Sequence, residues 1–221
     1  MLLCYHMDVA PLEDDELFRR VLATLSPVRR EKVLALRLRS SRNESLGAAC
    51  LLDQCLRTLG LREAEMCYRF GAAGKPAFAN RPELHFSLSH SGGMAAAVLS
   101  DRPVGCDVQQ LTKADPEIAR RRFAAEECEY IFSADPREQR ERFFRLWALK
   151  ESYAKATGEG LQLPLNAYAV TVGENAVLVK RGAEYQHFSF FEFSLSAYRL
   201  AVCARGEHSA IDIRECGVGC Y

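Results

Sequence analysis

The sequence predicts an α+β fold: a pseudo-twofold pair of similar subdomains, each an antiparallel sheet packed with helices, with a ligand cleft between them. Three observations predict it. Apolar residues recur at helical spacing in long stretches and at spacing two in shorter ones. Helical stretches precede a late strand pair in each half of the chain. The tetrapeptide Phe-Ser-Leu-Ser occurs at 86–89 and again at 193–196, each time ahead of a short apolar return. The expected subdomains are 1–104 and 105–221, joined within 100–112.

The elements follow in order. Leu17, Val21, Leu22 and Leu25 give residues 13–25 one apolar helical face. Ser26-Pro27 restarts the chain as an N-cap and first-turn pair. Residues 42–59 read as a second long helix, closed by Gly60. Residues 84–89 alternate as a strand, Ser91-Gly92-Gly93 turns, and 94–99 return as a hairpin. Asp101-Arg102-Pro103 turns again, and 104–108 form a third short strand. Asp135-Pro136 starts a helix that runs to Thr157 and stops at Gly158, with Phe143, Trp147 and Ala154 along one side. Residues 168–172, 176–180, 185–195 and 198–204 read as antiparallel strands.

Composition narrows the classes. At 221 residues the chain can bury a substantial core. It is 48% hydrophobic and 26% charged, which excludes a disordered chain. The 29 basic and 29 acidic residues cancel, so a nucleic-acid partner is not expected. No apolar run approaches the roughly 18 residues of a membrane span. The acidic start (Asp8, Glu13, Asp14, Asp15) does not read as a signal peptide, so a cytoplasmic protein is expected. Nine cysteines are scattered without Cys-x-x-Cys spacing or a histidine at zinc-finger distance. They read as free thiols in a reducing compartment, and the tail from Cys216 to Tyr221 carries no role.

Several residues can carry chemistry. Asp107 ends a short strand after Gly105, and Gln109 shares its face if the strand continues. Glu151 and Lys155 stand four apart on a helix. That spacing makes either a surface ion pair of roughly a few tenths of a kcal/mol or a magnesium ligand beside a phosphate-binding lysine. His90 lies before Gly92-Gly93, where glycine lets a ligand approach the backbone. Arg29, Arg30, Lys32, Arg37, Arg39 and Arg42 are a solvated face or a site for an acidic group. Gly74-Lys75-Pro76 is a tight turn presenting one lysine. Glu126, Glu127 and Glu129 share a short helical segment, where surface charge is the plain reading.

Four blocks together resemble the Sfp-type 4′-phosphopantetheinyl transferases over about residues 1–205. They are Gly74-Lys75-Pro76, Phe86-Ser-Leu-Ser-His90-Ser-Gly92, Val104-Gly-Cys-Asp107 and Trp147-Ala-Leu-Lys-Glu151-Ser-Tyr-Ala-Lys155. The resemblance implies coenzyme A in the cleft. It also implies transfer of phosphopantetheine to a serine of an apo acyl or peptidyl carrier protein, with release of adenosine 3′,5′-bisphosphate. Asp107 and Glu151 would hold Mg²⁺, and Lys155 and His90 would contact phosphates. Lys75 and Ser89 would line the coenzyme A site. Arg29 and Lys32 fall where the family places basic residues near the 3′-phosphate, and Ser45 is a nearby polar position. Glu127 or Glu151 would take the serine proton. The family often has a carboxylate two residues after the Asp; Gln109 stands there, so a less charged metal shell is expected. A monomer is expected, without membrane or nucleic-acid partners. The alternative readings are a coenzyme A or carrier-protein binding module without catalysis and another Mg²⁺ enzyme acting on phosphate esters.

Overall fold

The computed structural model describes residues 1–112, 116–174 and 176–217. Strand β1 (Leu2–Asp8) opens the chain. A short 3-10 turn leads to α1 (Asp15–Ala23), whose N-cap Asp14 accepts from the Leu17 amide at 2.7 Å. Ser26 and Pro27 start α2 (Pro27–Leu34) as N-cap and N1. Helix α3 (Arg39–Arg57) follows, with an unbroken buried run from Leu46 to Asp53. The small hairpin β2 (Tyr68–Phe70) and β3 (Pro76–Phe78) precedes β4 (His85–Ser91) and β5 (Met94–Ser100). Next come β6 (Val104–Gln110), α4 (Pro116–Arg122), α5 (Ala125–Phe132) and the long α6 (Pro136–Thr157). Gly158, at φ 82°, supplies the left-handed stop that ends α6. A three-stranded sheet of β7 (Ala169–Val172), β8 (Val177–Arg181) and β9 (Glu184–Gln186) leads to β10 (Phe188–Leu195), β11 (Tyr198–Arg205) and β12 (Asp212–Glu215).

The topology repeats. One sheet runs β12-β1-β5-β4 and the other β10-β11-β6, with every pairing antiparallel except β1 with β12. Setting β1 on β6, β5 on β11 and β4 on β10 superimposes the strand orders β1-β5-β4 and β6-β11-β10. The helices α3 and α6 take equivalent places, each packed on its own sheet. This is the pseudo-twofold α+β architecture that the sequence predicts. The last strand, β12, returns to the edge of the first sheet.

Three cores follow from strand alternation. In β1 and β5, Leu3, Met7, Ala95, Ala97 and Leu99 face α3. Leu2, Cys4, Ala96 and Val98 point the other way, into a middle layer shared with Val104, Cys106, Val108, Leu200 and Val202 of the second sheet. Ala201 and Cys203 face α6. The layers therefore run helix, sheet, sheet, helix. The edge strands β4 and β6 meet through side chains: Ser89 Oγ accepts from Val108 N at 3.1 Å and Ser91 Oγ from Gln110 N at 3.2 Å.

Some elements differ from the sequence reading. Strand β1 is buried on both faces, so its sequence is mostly apolar, interrupted by His6, and shows no alternation. Strands β2, β3 and β12 are short, and β12 is polar. The stretch 185–195 breaks at His187, because β9 pairs with β8 while β10 pairs with β11. The described cysteines are free thiols, and most are buried; Cys220 and Tyr221 lie outside the described residues. Among the described residues, no helix is long and apolar enough to cross a membrane.

Candidate active site

The residues of interest converge because α6 lies almost directly on β6. A Cβ at Gly105 would sit 2.0 Å from the Ser152 carbonyl oxygen and 2.5 Å from the Ala156 amide. Only glycine permits that approach. The alternation of β6 then turns Asp107 and Gln109 to the same side as Gly105. One turn of α6 places Lys155 against Asp107.

Asp107 is buried and fully engaged. Its Oδ1 accepts from Lys155 Nζ at 2.6 Å and from Ser89 Oγ at 2.9 Å. Its Oδ2 accepts from Gln109 Nε2 at 2.7 Å. Lys155 also donates to Ser89 Oγ at 3.0 Å and to the Cys106 carbonyl at 3.1 Å. Burial works against the Lys155 charge, but Asp107 outweighs it with help from Glu151 and holds the ammonium above the ordinary lysine range. Burial raises the Glu151 carboxyl, and the Asp107 charge raises it further against the pull of Lys155. Glu151 and Asp107 therefore share one electrostatic site, as paired carboxylates around a cation do.

Two cavities adjoin this point, one lined by Lys155 and the other by Glu151. A cleft of 270 Å³ is lined by Arg29, Lys32, Lys75, Lys155 and Phe86. Arg29 is 5% exposed. Its Nε donates to the Tyr68 hydroxyl at 3.1 Å, and its guanidinium lies over the Tyr68 and Phe86 rings. Its Nη2 is buried without a hydrogen-bond partner among the described residues, which an anion in the cleft would repair. Burial lowers the Lys32 amine, and Arg29 lowers it further. The second cavity, of 460 Å³, is lined by Trp147, Glu151, Leu163 and Leu165, with Arg121 and Arg122 at its side.

The remaining sequence candidates fall in different places. His90 is at the end of β4 and is held by Glu44 of α3, whose Oε2 lies 3.0 Å from Nδ1 while Oε1 accepts from Gly93 N at 2.9 Å. Ser45 is beside Glu44 on α3 and partly exposed. Lys75 reaches the cleft, but its Nζ donates to the Val104 carbonyl at 2.9 Å and to the Lys155 carbonyl. In the basic cluster, Arg39 turns to the Leu12 carbonyl and to Asp15, and Arg42 to the Leu36 carbonyl, so only Arg29 and Lys32 line this cleft.

Glu127 is buried and not the surface charge that its helix suggests. It is 1% exposed. Its Oε1 accepts from Lys150 Nζ at 2.5 Å and from Val170 N at 2.7 Å, and its Oε2 accepts from Ala124 N at 2.8 Å. Lys150 completes its coordination on the Tyr168 carbonyl at 2.8 Å. This carboxylate ties α5, α6 and β7 together. Trp147, likewise, packs on Phe123 and Phe143. Sequence reasoning passed over Glu44 and the groove arginines, which carry no local signal. Phe86 stands in one of the four blocks but carries no role there, because its place in a strand hides that it lines the cleft.

The chain matches known proteins along most of its length. A model of the 4′-phosphopantetheinyl transferase superfamily matches residues 103–203. The chain is 28% identical to 4′-phosphopantetheinyl transferase Sfp of Bacillus subtilis (strain 168) over 198 residues, 88% of each chain. It is 29% identical to 4′-phosphopantetheinyl transferase psf-1 of Bacillus pumilus over 221 residues, 96% of this chain and 94% of that one. Among solved structures, a holo-(acyl-carrier-protein) synthase from Bacillus anthracis in complex with CoA (3′,5′-ADP) aligns at 15% identity with TM-score 0.40. That alignment covers 48% of this chain and 96% of the other.

Proposed function

Because the chain belongs to the 4′-phosphopantetheinyl transferase superfamily, we propose that it moves phosphopantetheine from coenzyme A to a serine of an apo acyl or peptidyl carrier protein. Adenosine 3′,5′-bisphosphate is the leaving group. One observation carries the reading: Ser89 from the first half and Asp107 and Lys155 from the second are hydrogen-bonded at one point, between a basic cleft and a groove holding Glu151.

The roles follow from position. Arg29 and Lys32 receive the 3′-phosphate in the basic cleft, where Arg29 Nη2 is a buried donor without a partner among the described residues. Phe86 gives that cleft an aromatic wall. Lys155 stands at the pyrophosphate and stabilises the charge that develops on the leaving bisphosphate. His90, at the same end of β4 as Ser89, adds a donor to the phosphates. In the transfer, the serine Oγ forms a bond to the phosphorus that bears the pantetheine arm. The bond from that phosphorus to the bridging oxygen breaks, and the bisphosphate leaves with the electron pair. Glu151, which lines the second cavity, takes the serine proton directly or through a water. On this reading Glu127, buried against Lys150 and two backbone amides, holds α5, α6 and β7 together and Glu151 is the base.

A magnesium ion fits this donor set. Asp107 and Glu151 are two carboxylates that repel one another in a partly dehydrated place, and a divalent cation relieves that. Among the described residues no three His, Cys, Asp or Glu side chains converge to hold a metal, and the ion would take its other ligands from waters and phosphate oxygens. When bound, the ion supplies neutralisation of the pyrophosphate charge. Gln109, as the third polar group of this face, adds no charge to the shell. On this reading the chain acts as a monomer, since one polypeptide provides both walls of the cleft, and it works in the cytoplasm.

The test is to mix the protein, coenzyme A, Mg²⁺ and an apo carrier, then weigh the carrier. A gain equal to phosphopantetheine at the carrier serine is expected. Binding of coenzyme A or carrier without any gain identifies a binding module instead.

A further inference from the structure

Lys75 occupies an unusual place for a ligand-binding lysine. It sits in the β2–β3 loop, which is closed by Gly71 N to Lys75 O and Gly74 N to Gly71 O, both 2.9 Å, with Gly74 at φ 77°. From there it crosses into the other half of the molecule. Its Nζ donates to the carbonyls of Val104, at the start of β6, and of Lys155, in the last turn of α6. Its stem runs over the helix stop: a Cβ on Gly158 would lie 3.7 Å from Lys75 Cδ. Ala73 of the same loop lies against Gly160, whose Cβ would be 3.9 Å from the Ala73 carbonyl oxygen.

The last four carbonyls of a helix have no partner within it and carry its partial negative charge. An ammonium is the natural cap for them. Lys155 is both the residue whose carbonyl is capped and the residue whose side chain reaches Asp107 and Ser89. Two of the three Lys75 donors are committed to main chain. Swinging onto a phosphate would withdraw the cap from the turn that carries Lys155.

We infer that Lys75 is a positioning residue: it clasps the last turn of α6 to the start of β6 and so holds the Lys155 ammonium on Asp107 and Ser89. It acts through Lys155 and not as a direct ligand of the coenzyme A phosphates. The kinetic part of this inference rests on the proposed transferase reaction; the structural part does not. Burial of the amine, which brings its pKa down to about 8, agrees with a group enclosed by protein.

Lys75→Met keeps the stem and removes the donors. In the apoprotein, amide hydrogen exchange in the last turn of α6 and at Gly158–Gly160 is expected to quicken by about tenfold or more. In the transfer assay, kcat is expected to fall by about tenfold or more while KM for coenzyme A moves by less than about threefold. A KM raised by about tenfold at unchanged kcat, with native exchange, makes Lys75 a ligand and overturns the inference. If the wild-type protein transfers nothing, the proposed reaction is wrong, and the exchange arm decides the clasp alone: native exchange in the variant overturns it. Should Lys75→Met not fold, Lys75→Gln, which retains a shorter neutral donor, is read by the same two measurements.

Discussion

Replacing Glu127 with Gln separates a structural carboxylate from a catalytic one. Glu127 and Lys150 have side chains with no exposed surface and an Nζ–Oε1 distance of 2.5 Å. Burial pulls the Lys150 amine below its ordinary range, and Glu127 is the first group opposing that. Removing one partner of such a pair leaves the other charged and unpaired in the interior, which costs about 3–5 kcal/mol. With its amide oxygen at the Oε1 position Gln can still accept from Val170 N and Lys150, but its NH₂ then faces Ala124 N, which it cannot accept from, and the charge that balances Lys150 is gone. For a chain of this size the midpoint of thermal unfolding should fall by about 6–20 °C. The assay is thermal unfolding by circular dichroism, paired with turnover measured well below the variant's midpoint. Turnover of the folded fraction should stay within about a factor of ten of wild type, because a held helix and not a proton transfer is lost. A normal midpoint with turnover abolished refutes the reasoning and makes Glu127 the base. The double variant Glu127→Leu/Lys150→Met should recover part of the stability, since apolar packing replaces the ion pair. It should not recover all, because Ala124 N and Val170 N lose their acceptor at about 1–3 kcal/mol each.

Gly105→Ala should destabilise the fold by about 1–3 kcal/mol or more and depress turnover, because the new methyl meets α6 backbone and lifts Lys155 from Asp107; denaturant unfolding and turnover that match wild type would contradict the contact. Gln109→Glu should lower the Mg²⁺ concentration for half-maximal turnover and lower the melting temperature of the metal-free protein, since a carboxylate replaces the amide that donates to Asp107; an unchanged Mg²⁺ profile would count against a site at Asp107. Glu151→Gln should stabilise the metal-free protein at pH 7. The folded-state carboxyl is raised above the ordinary value of 4.5, so the native state holds the extra proton and wild-type stability falls as pH climbs from 4.5 through the raised value. The advantage of the variant should therefore vanish at and below pH 4.5, which thermal melts across that range would read.

What was legible in the sequence is what local physics writes there. Ser26-Pro27 and Asp135-Pro136 mark helix starts because side-chain caps and a fixed φ act within a few residues. Strand β6 was legible from its turns, and its period of two put Asp107 and Gln109 on one face before any contact was known. Strand β1 was not, because both of its faces are buried and alternation disappears. Glu127 was misjudged for a different reason. On its own helix it sits beside the exposed Glu126 and Glu129, and its partner Lys150 lies 23 residues away. Lys75 shows the same limit: a Gly-Lys-Pro turn announces a presented lysine, but not which carbonyls it meets.

The repeat explains why the molecule has one such site and not two. Both central hairpins close through two-residue turns, Gly92-Gly93 and Ser196-Ala197, and Ser196 shares the positive φ of Gly92. With those turns aligned, the strand registers place Leu3, Tyr5 and Met7 of β1 where β6 has Gly105, Asp107 and Gln109. They place Phe193 of β10 where β4 has Ser89, so the two Phe-Ser-Leu-Ser segments occupy equivalent strands but are offset by three residues. In the first half, the face toward the long helix is thus filled by Leu3, Tyr5 and Met7 and becomes core. In the second half, a glycine draws the helix in, and a carboxylate and an amide stand on that face. The side chains of β6 that point the other way, Val104, Cys106 and Val108, bind the two halves together. Strand β6 therefore joins the halves with one face and presents Asp107 with the other. Ser89 and Lys75 reach that face only because the first half is docked against it, so the constellation forms with the union of the halves and not within either one.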